Sequence, residues 1–384
     1  MTFQHPPQAV AELRRTATIR ERSGRLLARA RAGDSPWFTV HDDALDGAAA
    51  TVADVTRASY PDLAIPYHSR WRHFAAGGVD RKTDLDGRLA HRETAARARA
   101  MIDLTVVSVL LDAGAGPDWA YREGDRTFTR SEGLAVASFH AFTAGLFSAD
   151  PDDPLRVDAA GLRALTPDRL AAAFQVGPGN PLVGLDGRVA LLQRLGLALD
   201  RPGAMFDTLA GNTVRAHDIL SYLLASLSGI WLASNAIDGI PLGDCWPHPA
   251  VGWLPLHKLS QWVTYSLLEP FEWAGVEVTG LDELTGLPEY RNGGLLLDTG
   301  VLALRDPRWT DRSWTPADEL VVEWRGLTVA LLDELAGRVC ARLGAQLPLA
   351  CVLEGGTWAA GRELAQQLRG GLPPLTIRSD GTVF

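Results

Sequence analysis

Apolar residues recur with a helical period along most of this chain, and this pattern restricts the fold more than any other feature. Ten segments place apolar side chains at positions i, i+3 and i+4, whereas the apolar–polar alternation of a half-buried strand is rare. We therefore predict a mainly α protein with few short strands. The predicted helices span residues 9–32, 43–59, 88–111, 131–146, 168–174, 185–199, 214–237, 256–273, 292–304 and 316–343.

The length of 384 residues permits one large helical core. Two turn-rich stretches, 148–154 and 178–181, are candidate boundaries, but neither is long or polar enough to separate independent domains. We therefore predict one helical body over residues 1–384. Its candidate subdivision is an N-terminal lobe, 1–180, and a C-terminal lobe, 181–384, that carries the catalytic motifs.

Charge and composition favour a small-molecule partner in the cytoplasm. The net charge of −9 argues against binding along a nucleic-acid backbone. The three cysteines show neither metal-type CxxC spacing nor the even count of a disulfide framework, as expected in a reducing compartment. The N-terminus has no apolar signal region, and the uncharged run 219–237 contains serines and an asparagine, so we predict a buried core helix and no membrane span. The oligomeric state stays open.

The segment 253–305 sets few ionisable residues among apolar helical faces. Glu289 stands between the helix breaker Pro288 and the aromatic Tyr290, and a solvated surface explains it poorly. We therefore take Glu289 as the catalytic candidate. Lys258 is one of only two lysines, the other being Lys82, among 37 basic residues. A lysine at this position, rather than the arginine used almost everywhere else, indicates a need for a compact ammonium group, although chance explains it equally well.

The motif HSRWRHF, residues 68–74, concentrates cations. Arg70 and Arg72 are suited to clamp a phosphate or carboxylate, with His68 or Trp71 against a sugar or planar group. A surface loop of mixed charge is the equal alternative.

The motif LLDAGAGPDW, residues 110–119, ends an apolar helix with Asp112 and turns to Asp118 and Trp119. A buried acid is costly unless it is paired. Asp112 therefore either caps the turn or hydrogen-bonds a ligand.

Two further groups of polar residues have competing interpretations. The loop GDCWPHP offers Asp244, Cys245 and His248, which a nucleophile or a metal site would use, but a structural loop is favoured. Glu323 and Arg325 lie within an apolar helix and must be paired, either with each other or with Arg291 or Glu289. A structural ion pair is favoured, and the alternative is that one arginine binds a ligand while the other orients the acid. Nucleotide-binding, hydrolase and zinc motifs are not present in the sequence. We predict no metal and no cofactor.

Several motifs together closely resemble the uracil-catabolism family long described as a domain of unknown function. The resemblance covers nearly the whole chain and implies the urea-releasing step of a ring-opening pathway, in which a ribosylurea is formed from a pyrimidine ring. It rests on HSRWRHF, SVLLDAGAGPDW, RSEGLAVAS, GNPLVGLDGR, LHKLSQWVTYSLLEP, LTGLPEYRNGGLLLDTGVL, LEGGTWAAGR and the terminal SDGTVF.

A more distant similarity links the same region to the queuosine 5′-phosphate N-glycosylases. It implies an all-helical body resembling the helix-hairpin-helix DNA glycosylase fold. That family has a lysine at the position of Lys258 and Asp-Tyr-Arg where this chain has Glu289, Tyr290 and Arg291, so the acid here is longer by one methylene. Its Glu-x-x-Arg element is matched by Glu323-Trp-Arg325 with a shorter spacing.

These resemblances imply an N-glycosidase that hydrolyses ribosylurea, expected as its 5′-phosphate. Glu289 would stabilise the oxocarbenium-like state and activate water, while Lys258, Asp112 or Asp118 would assist the departing urea. The residues expected to bind or shield substrate are His68, Arg70, Arg72, Trp119, Trp262, Tyr290, Arg291 and Arg325. The alternatives are a ureide or amide hydrolase that uses Cys245 and His248, and a non-catalytic module that binds a nucleotide or sugar phosphate.

Overall fold

The computed structural model describes residues 7–231 and 235–378, so the terminal motif SDGTVF lies outside the described residues. The fold is mainly α-helical with short strand pairs, which confirms the predicted class. The described residues form two compact units. The first comprises residues 7–68, 235–261 and 280–378, and the second comprises residues 69–231 and 262–279. The division into lobes 1–180 and 181–384 and the glycosylase-like body stay predictions.

The α-helices of the described chain have the following bounds: α1 Gln8–Leu13, α2 Thr16–Arg31, α3 Leu45–Ser59, α4 Arg70–Phe74, α5 Arg81–Leu89, α6 Thr94–Leu110, α7 Arg130–Thr143, α8 Ala159–Arg163, α9 Pro167–Ala173, α10 Leu185–Ala198, α11 Met205–Leu209, α12 Ala216–Leu227, α13 Lys258–Trp273, α14 Tyr290–Asp298, α15 Glu319–Leu343, α16 Leu349–Val352 and α17 Trp358–Arg369. A π-helical turn, Leu353–Thr357, joins α16 to α17.

The strands are short and pair two by two. Their bounds are β1 Phe38–Val40, β2 Ala120–Glu123, β3 Arg126–Thr129, β4 Thr213–Arg215, β5 Ala236–Ile237, β6 Ile240–Pro241, β7 Cys245–His248, β8 Gly252–Pro255, β9 Glu277–Thr279, β10 Leu302–Leu304, β11 Ser313–Trp314 and β12 Thr376–Ile377. The pairs β1–β10, β2–β3, β5–β6 and β7–β8 are antiparallel, and β4–β9 and β11–β12 are parallel.

In the first unit, the amino-terminal half of α15 is buried on all sides and packs against α2 and α3. Gly326 permits this approach, because a Cβ at that position would lie 2.8 Å from Leu26 Cδ1. Within the same unit, α14 packs against α17. Gly361 is needed there, since its Cβ would lie 2.2 Å from the carbonyl oxygen of Arg291. These small residues bring the helices that carry the predicted motifs into close contact.

In the second unit, α6 is the central helix, and every residue from Met101 to Leu110 is buried. It packs against α7, α10 and α11. The hairpin β2–β3 follows α6 and leads into α7.

Two predicted helices end earlier than expected. The apolar run 214–237 begins in β4, α12 ends at Leu227, and the 3-10 turn Ser228–Ile230 follows. The pattern 292–304 ends as a helix at Asp298, because Gly300 adopts φ of 74° and the chain then enters β10. Apolar period alone does not distinguish a helix from a buried strand that continues it. In residues 7–231 and 235–378, no helix combines the length and apolar character that crossing a membrane requires.

Candidate functional site

Glu289 lies at the start of α14, where its carboxylate caps the helix. Oε2 accepts the N–H of Arg291 at 2.6 Å, and Oε1 accepts the N–H of Asn292 at 2.7 Å. Both donors belong to the first helical turn, where backbone N–H groups have no partner within the helix. The two bonds therefore hold the carboxylate in one orientation, and each oxygen retains a lone pair for a further contact.

Several effects of opposite sign act on the pKa of the Glu289 carboxyl. Burial is the largest and raises its pKa above the ordinary value. The two backbone hydrogen bonds and the charges of Lys258 and Arg291 act in the opposite direction without cancelling it. A carboxylate whose pKa is raised takes up a proton more readily, which is the property required of a general base.

Lys258 is the first residue of α13, and Asp244 positions its backbone. The N–H of Lys258 donates to Asp244 Oδ2 at 2.9 Å. The N–H groups of Leu256 and His257 donate to the Asp244 carbonyl oxygen at 3.0 and 2.9 Å. His257 adopts φ of 46°, a left-handed conformation that is costly for a residue with a side chain. The surrounding bonds must therefore hold this entry into the helix.

Asp244 and Arg325 form a buried bidentate ion pair. Arg325 Nη1 and Nη2 donate to Asp244 Oδ1 and Oδ2, each at 2.7 Å, and Nε donates to the Pro288 carbonyl at 3.2 Å. The Trp246 indole N–H also donates to Oδ1 at 2.7 Å. Burial by itself would raise the pKa of Asp244, but the charge and hydrogen bonds of Arg325 outweigh it and lower the pKa to about 2.

Tyr290 and Arg291 complete the predicted acid motif. The Arg291 guanidinium lies over the Tyr290 ring, 4.8 Å from its centroid, and Nη1 donates to the Gly371 carbonyl at 3.3 Å. Arg291 is buried and Tyr290 is half-buried. The arginine therefore already contacts an aromatic face and a carbonyl within the protein.

His248, Glu319 and Glu323 form a cluster with the residue types of a metal site. One ligand atom of each lies within 4.8 Å of the others. However, His248 Nδ1 accepts the N–H of Ala250 at 3.2 Å, so Nε2 carries the proton, 3.2 Å from Glu323 Oε2. A metal-ligating histidine instead donates from its second nitrogen. The Ser35 hydroxyl donates to the other oxygen of Glu323. These contacts favour a hydrogen-bonded network over a metal centre.

His68 contacts the π-helical turn of the motif LEGGTWAAGR. Its Nδ1 lies 2.8 Å from Glu354 Oε2, and its backbone N–H donates to the Ala350 carbonyl at 2.9 Å. Both His68 and this turn belong to the first unit. The HSRWRHF motif is therefore divided, since Arg70 and Arg72 belong to the second unit.

In the second unit, Asp112 is paired with the buried Arg70, and its charge also acts on the buried Arg188. Arg70 Nη1 lies 3.0 Å from Asp112 Oδ1, and Arg70 Nε donates to Ser108 Oγ at 2.7 Å. Arg188 Nε donates to the carbonyl of Leu111, the residue that follows α6, at 3.0 Å. Burial lowers the pKa of Arg188 to about 10, and the Asp112 charge opposes this effect. Asp112 therefore balances buried arginine charge, and its role as a proton donor stays a prediction.

The other predicted residues of this unit have separate surroundings. Arg72 Nη2 donates to Glu269 Oε1 at 2.6 Å. Trp119 is buried, stacks on Phe174 and donates its indole N–H to the Phe174 carbonyl at 3.0 Å. Asp118 is exposed on the loop after α6. The burial of Trp119 and its contacts with Phe174 are those of a core residue.

Within the first unit, the structure brings four predicted residues together around the start of α14: Glu289, Lys258, Arg291 and Arg325. The sequence-based interpretation missed the residue that links them, Asp244, which it assigned to a structural loop. It also expected Glu323 and Arg325 to pair with each other or with the acid motif. The available signal was the position of Asp244 in a loop shortly before the helix that begins at Lys258. Its partner Arg325, however, lies 81 positions away along the chain.

Fold and site together define a mainly helical protein in which a half-buried glutamate caps a helix within the electrostatic reach of a lysine. The chain belongs to the family described as "Protein of unknown function (DUF1688)", whose model matches residues 12–384. This confirms the resemblance drawn from the motifs. It is 40% identical over 398 residues to "Protein urg3" of Schizosaccharomyces pombe, covering 98% of this chain and 99% of that protein. It is 39% identical over 397 residues to "Uracil catabolism protein 4" of Lachancea kluyveri, covering 89% and 90%.

Proposed function

We propose that this protein acts in uracil catabolism as an N-glycosidase. Its substrate is ribosylurea, as the 5′-phosphate, and its products are urea and ribose 5-phosphate. The name of the Lachancea relative supports the pathway. The observation that carries the reaction type is Glu289, a carboxylate of raised pKa held in one orientation with the charge of Lys258 close by.

Hydrolysis requires one proton to move from water to the leaving group. As the bond between C1 of the ribose and the urea nitrogen breaks, positive charge develops at C1, and an adjacent carboxylate stabilises it. Water then bonds to C1 and gives its proton to Glu289. The Lys258 ammonium donates a proton to the departing urea nitrogen, because urea leaves poorly as an anion, and proton return from Glu289 through solvent restores both groups.

Purified protein incubated with ribosylurea 5′-phosphate tests the proposal. We expect stoichiometric urea and ribose 5-phosphate, measured by mass spectrometry, and unphosphorylated ribosylurea in a parallel reaction shows whether the phosphate is required. Intact substrate in the presence of folded protein would rule out the proposed activity.

The pH profile of kcat should report Glu289. Only its ionised form accepts a proton, and its pKa is raised, so kcat should rise with pH through a midpoint above the ordinary 4.5. Lys258 lowers this pKa, so Lys258→Gln should move the midpoint to higher pH, besides slowing the reaction. Lys258→Arg keeps the charge and serves as the control. Equal midpoints in the Gln variant and the wild type would contradict the coupling.

A carbonyl-attacking amide hydrolase is less compatible with the structure. Cys245 is fully buried, and burial followed by the Asp244 charge raises the pKa of its thiol, which disfavours the reactive thiolate. We therefore expect Cys245→Ala to release urea within about twofold of the wild-type rate, because the proposed reaction does not use the thiol. A loss of turnover in the folded variant, with ammonia and carbon dioxide as the wild-type products, would support the hydrolase instead.

A further inference from the structure

The Asp244–Arg325 pair connects the two segments that carry the proposed catalytic residues. On one side, Asp244 accepts the backbone N–H groups of Leu256, His257 and Lys258 through its carbonyl and carboxylate oxygens. Three consecutive residues at the entry into α13 are thus bound to one aspartate. The left-handed φ of His257 lies within this stretch. The backbone position of Lys258 therefore depends on Asp244.

On the other side, Arg325 binds the segment that leads to Glu289. Its Nε donates to the carbonyl of Pro288, the residue immediately before Glu289. A second link lies nearby, because Gln261 Nε2 donates to Thr285 Oγ1 at 2.8 Å. Both segments are therefore attached to each other through buried polar contacts.

A buried ion pair adds little to folding stability compared with apolar residues of the same size, because both charges lose their hydration. Unlike apolar contacts, the hydrogen bonds of an ion pair are directional and fix the relative orientation of the groups that they join. Arg325 uses its planar fork for two carboxylate oxygens and its Nε for a carbonyl in a third direction, and lysine lacks this geometry. Such a pair suits a role in positioning.

We propose that Asp244 and Arg325 are positioning residues that hold Lys258 at a set distance from Glu289, so that the two act as one acid–base pair. This inference rests on the proposed N-glycosidase function. Neither Asp244 nor Arg325 touches the reacting atoms in this scheme. They act through the backbones of Lys258 and Pro288.

The same unit contains a matched control. Arg369 Nη1 and Nη2 donate to Asp298 Oδ1 and Oδ2 at 2.8 and 2.6 Å, which is the same bidentate geometry. This pair joins the last residue of α14 to the last residue of α17, at the opposite end of α14 from Glu289, and among the described residues its two bonds do not involve Lys258, Glu289, Asp244 or Arg325. Replacing Asp298 therefore removes an ion pair without disturbing the proposed positioning.

The kinetic test compares Asp244→Asn with Asp298→Asn. We expect Asp244→Asn to lower kcat about 100-fold with KM changed less than threefold, because small displacements of reacting groups are costly. Asp298→Asn should stay within about twofold of wild type. Arg325→Lys keeps the charge opposite Asp244 but not the fork, so it covers the case in which Asp244→Asn does not fold, and it should lower kcat at least tenfold. Equal kcat losses in Asp244→Asn and Asp298→Asn, or unchanged kcat in Arg325→Lys, would overturn the proposal.

A second measurement does not depend on turnover. The chain has only two lysines, Lys82 and Lys258, so protein labelled with 13C at lysine Cε gives two signals, and Lys82→Arg assigns them. Glu289→Gln should lower the pKa of Lys258 by removing a nearby negative charge. In the Asp244→Asn or Arg325→Lys background, this effect should shrink to less than half. An unchanged effect would refute the positioning role, whereas absence of urea release by the wild type would refute only the proposed reaction.

Discussion

Replacing Glu289 by glutamine is expected to lower kcat for urea release about 1,000-fold, within the range of a lost general base. Glutamine has nearly the same shape but carries no charge to stabilise C1 and accepts no proton from water. Substrate binding should persist, so KM should change little. Product formation in single-turnover and steady-state assays measures both quantities.

Loss of the helix cap has to be separated from loss of chemistry. An amide at residue 289 accepts only through its one oxygen, which costs about 1 kcal/mol of stability at a helix start. Asp80→Asn is the matched control, because Asp80 caps α5 by accepting the N–H of Thr83 at 2.9 Å. It should leave kcat within about twofold. Near wild-type turnover in Glu289→Gln would remove Glu289 from the mechanism, and binding without turnover in the wild type itself would favour a non-catalytic module.

Replacing Asp112 by asparagine should produce the largest loss of stability, about 3–5 kcal/mol in the unfolding free energy of the second unit. The reason is that Asp112 lies 3.0 Å from the fully buried Arg70, and its charge also acts on the fully buried Arg188. Asparagine keeps the shape and leaves two guanidinium groups without that charge. Hydrogen exchange of the α6 amides measures the effect within this unit.

Asp118→Asn provides the comparison from the same loop. Asp118 is exposed, so its replacement should change stability by less than about 0.5 kcal/mol. A similarly small change in Asp112→Asn would show that the arginines do not need its charge. Turnover by folded Asp112→Asn, assayed at low temperature, decides the predicted role as a proton donor. A rate close to wild type would leave Lys258 as the donor.

Much of the candidate site could be predicted from local sequence. The neighbours of Glu289, a helix-breaking proline and an aromatic residue, indicate it as a candidate, and the scarcity of lysine does the same for Lys258. Local sequence could not predict which charged residues pair with one another. Arg325 was expected to bind a ligand or pair with Glu323, yet its fork is occupied by Asp244. Likewise, Glu323 contacts Ser35 and His248 rather than an arginine.

From the sequence alone, the mainly helical class, most helix positions and the family could be determined, because helical period and motifs are local properties of the chain. Only the tertiary structure decided which charges meet. Asp244 and Arg325, or Asp112 and Arg70, are brought together by packing between distant segments. A buried arginine is stable only beside a partner of opposite charge, and the sequence offers many acids that could serve. The packing of the core determines which acid lies beside which arginine.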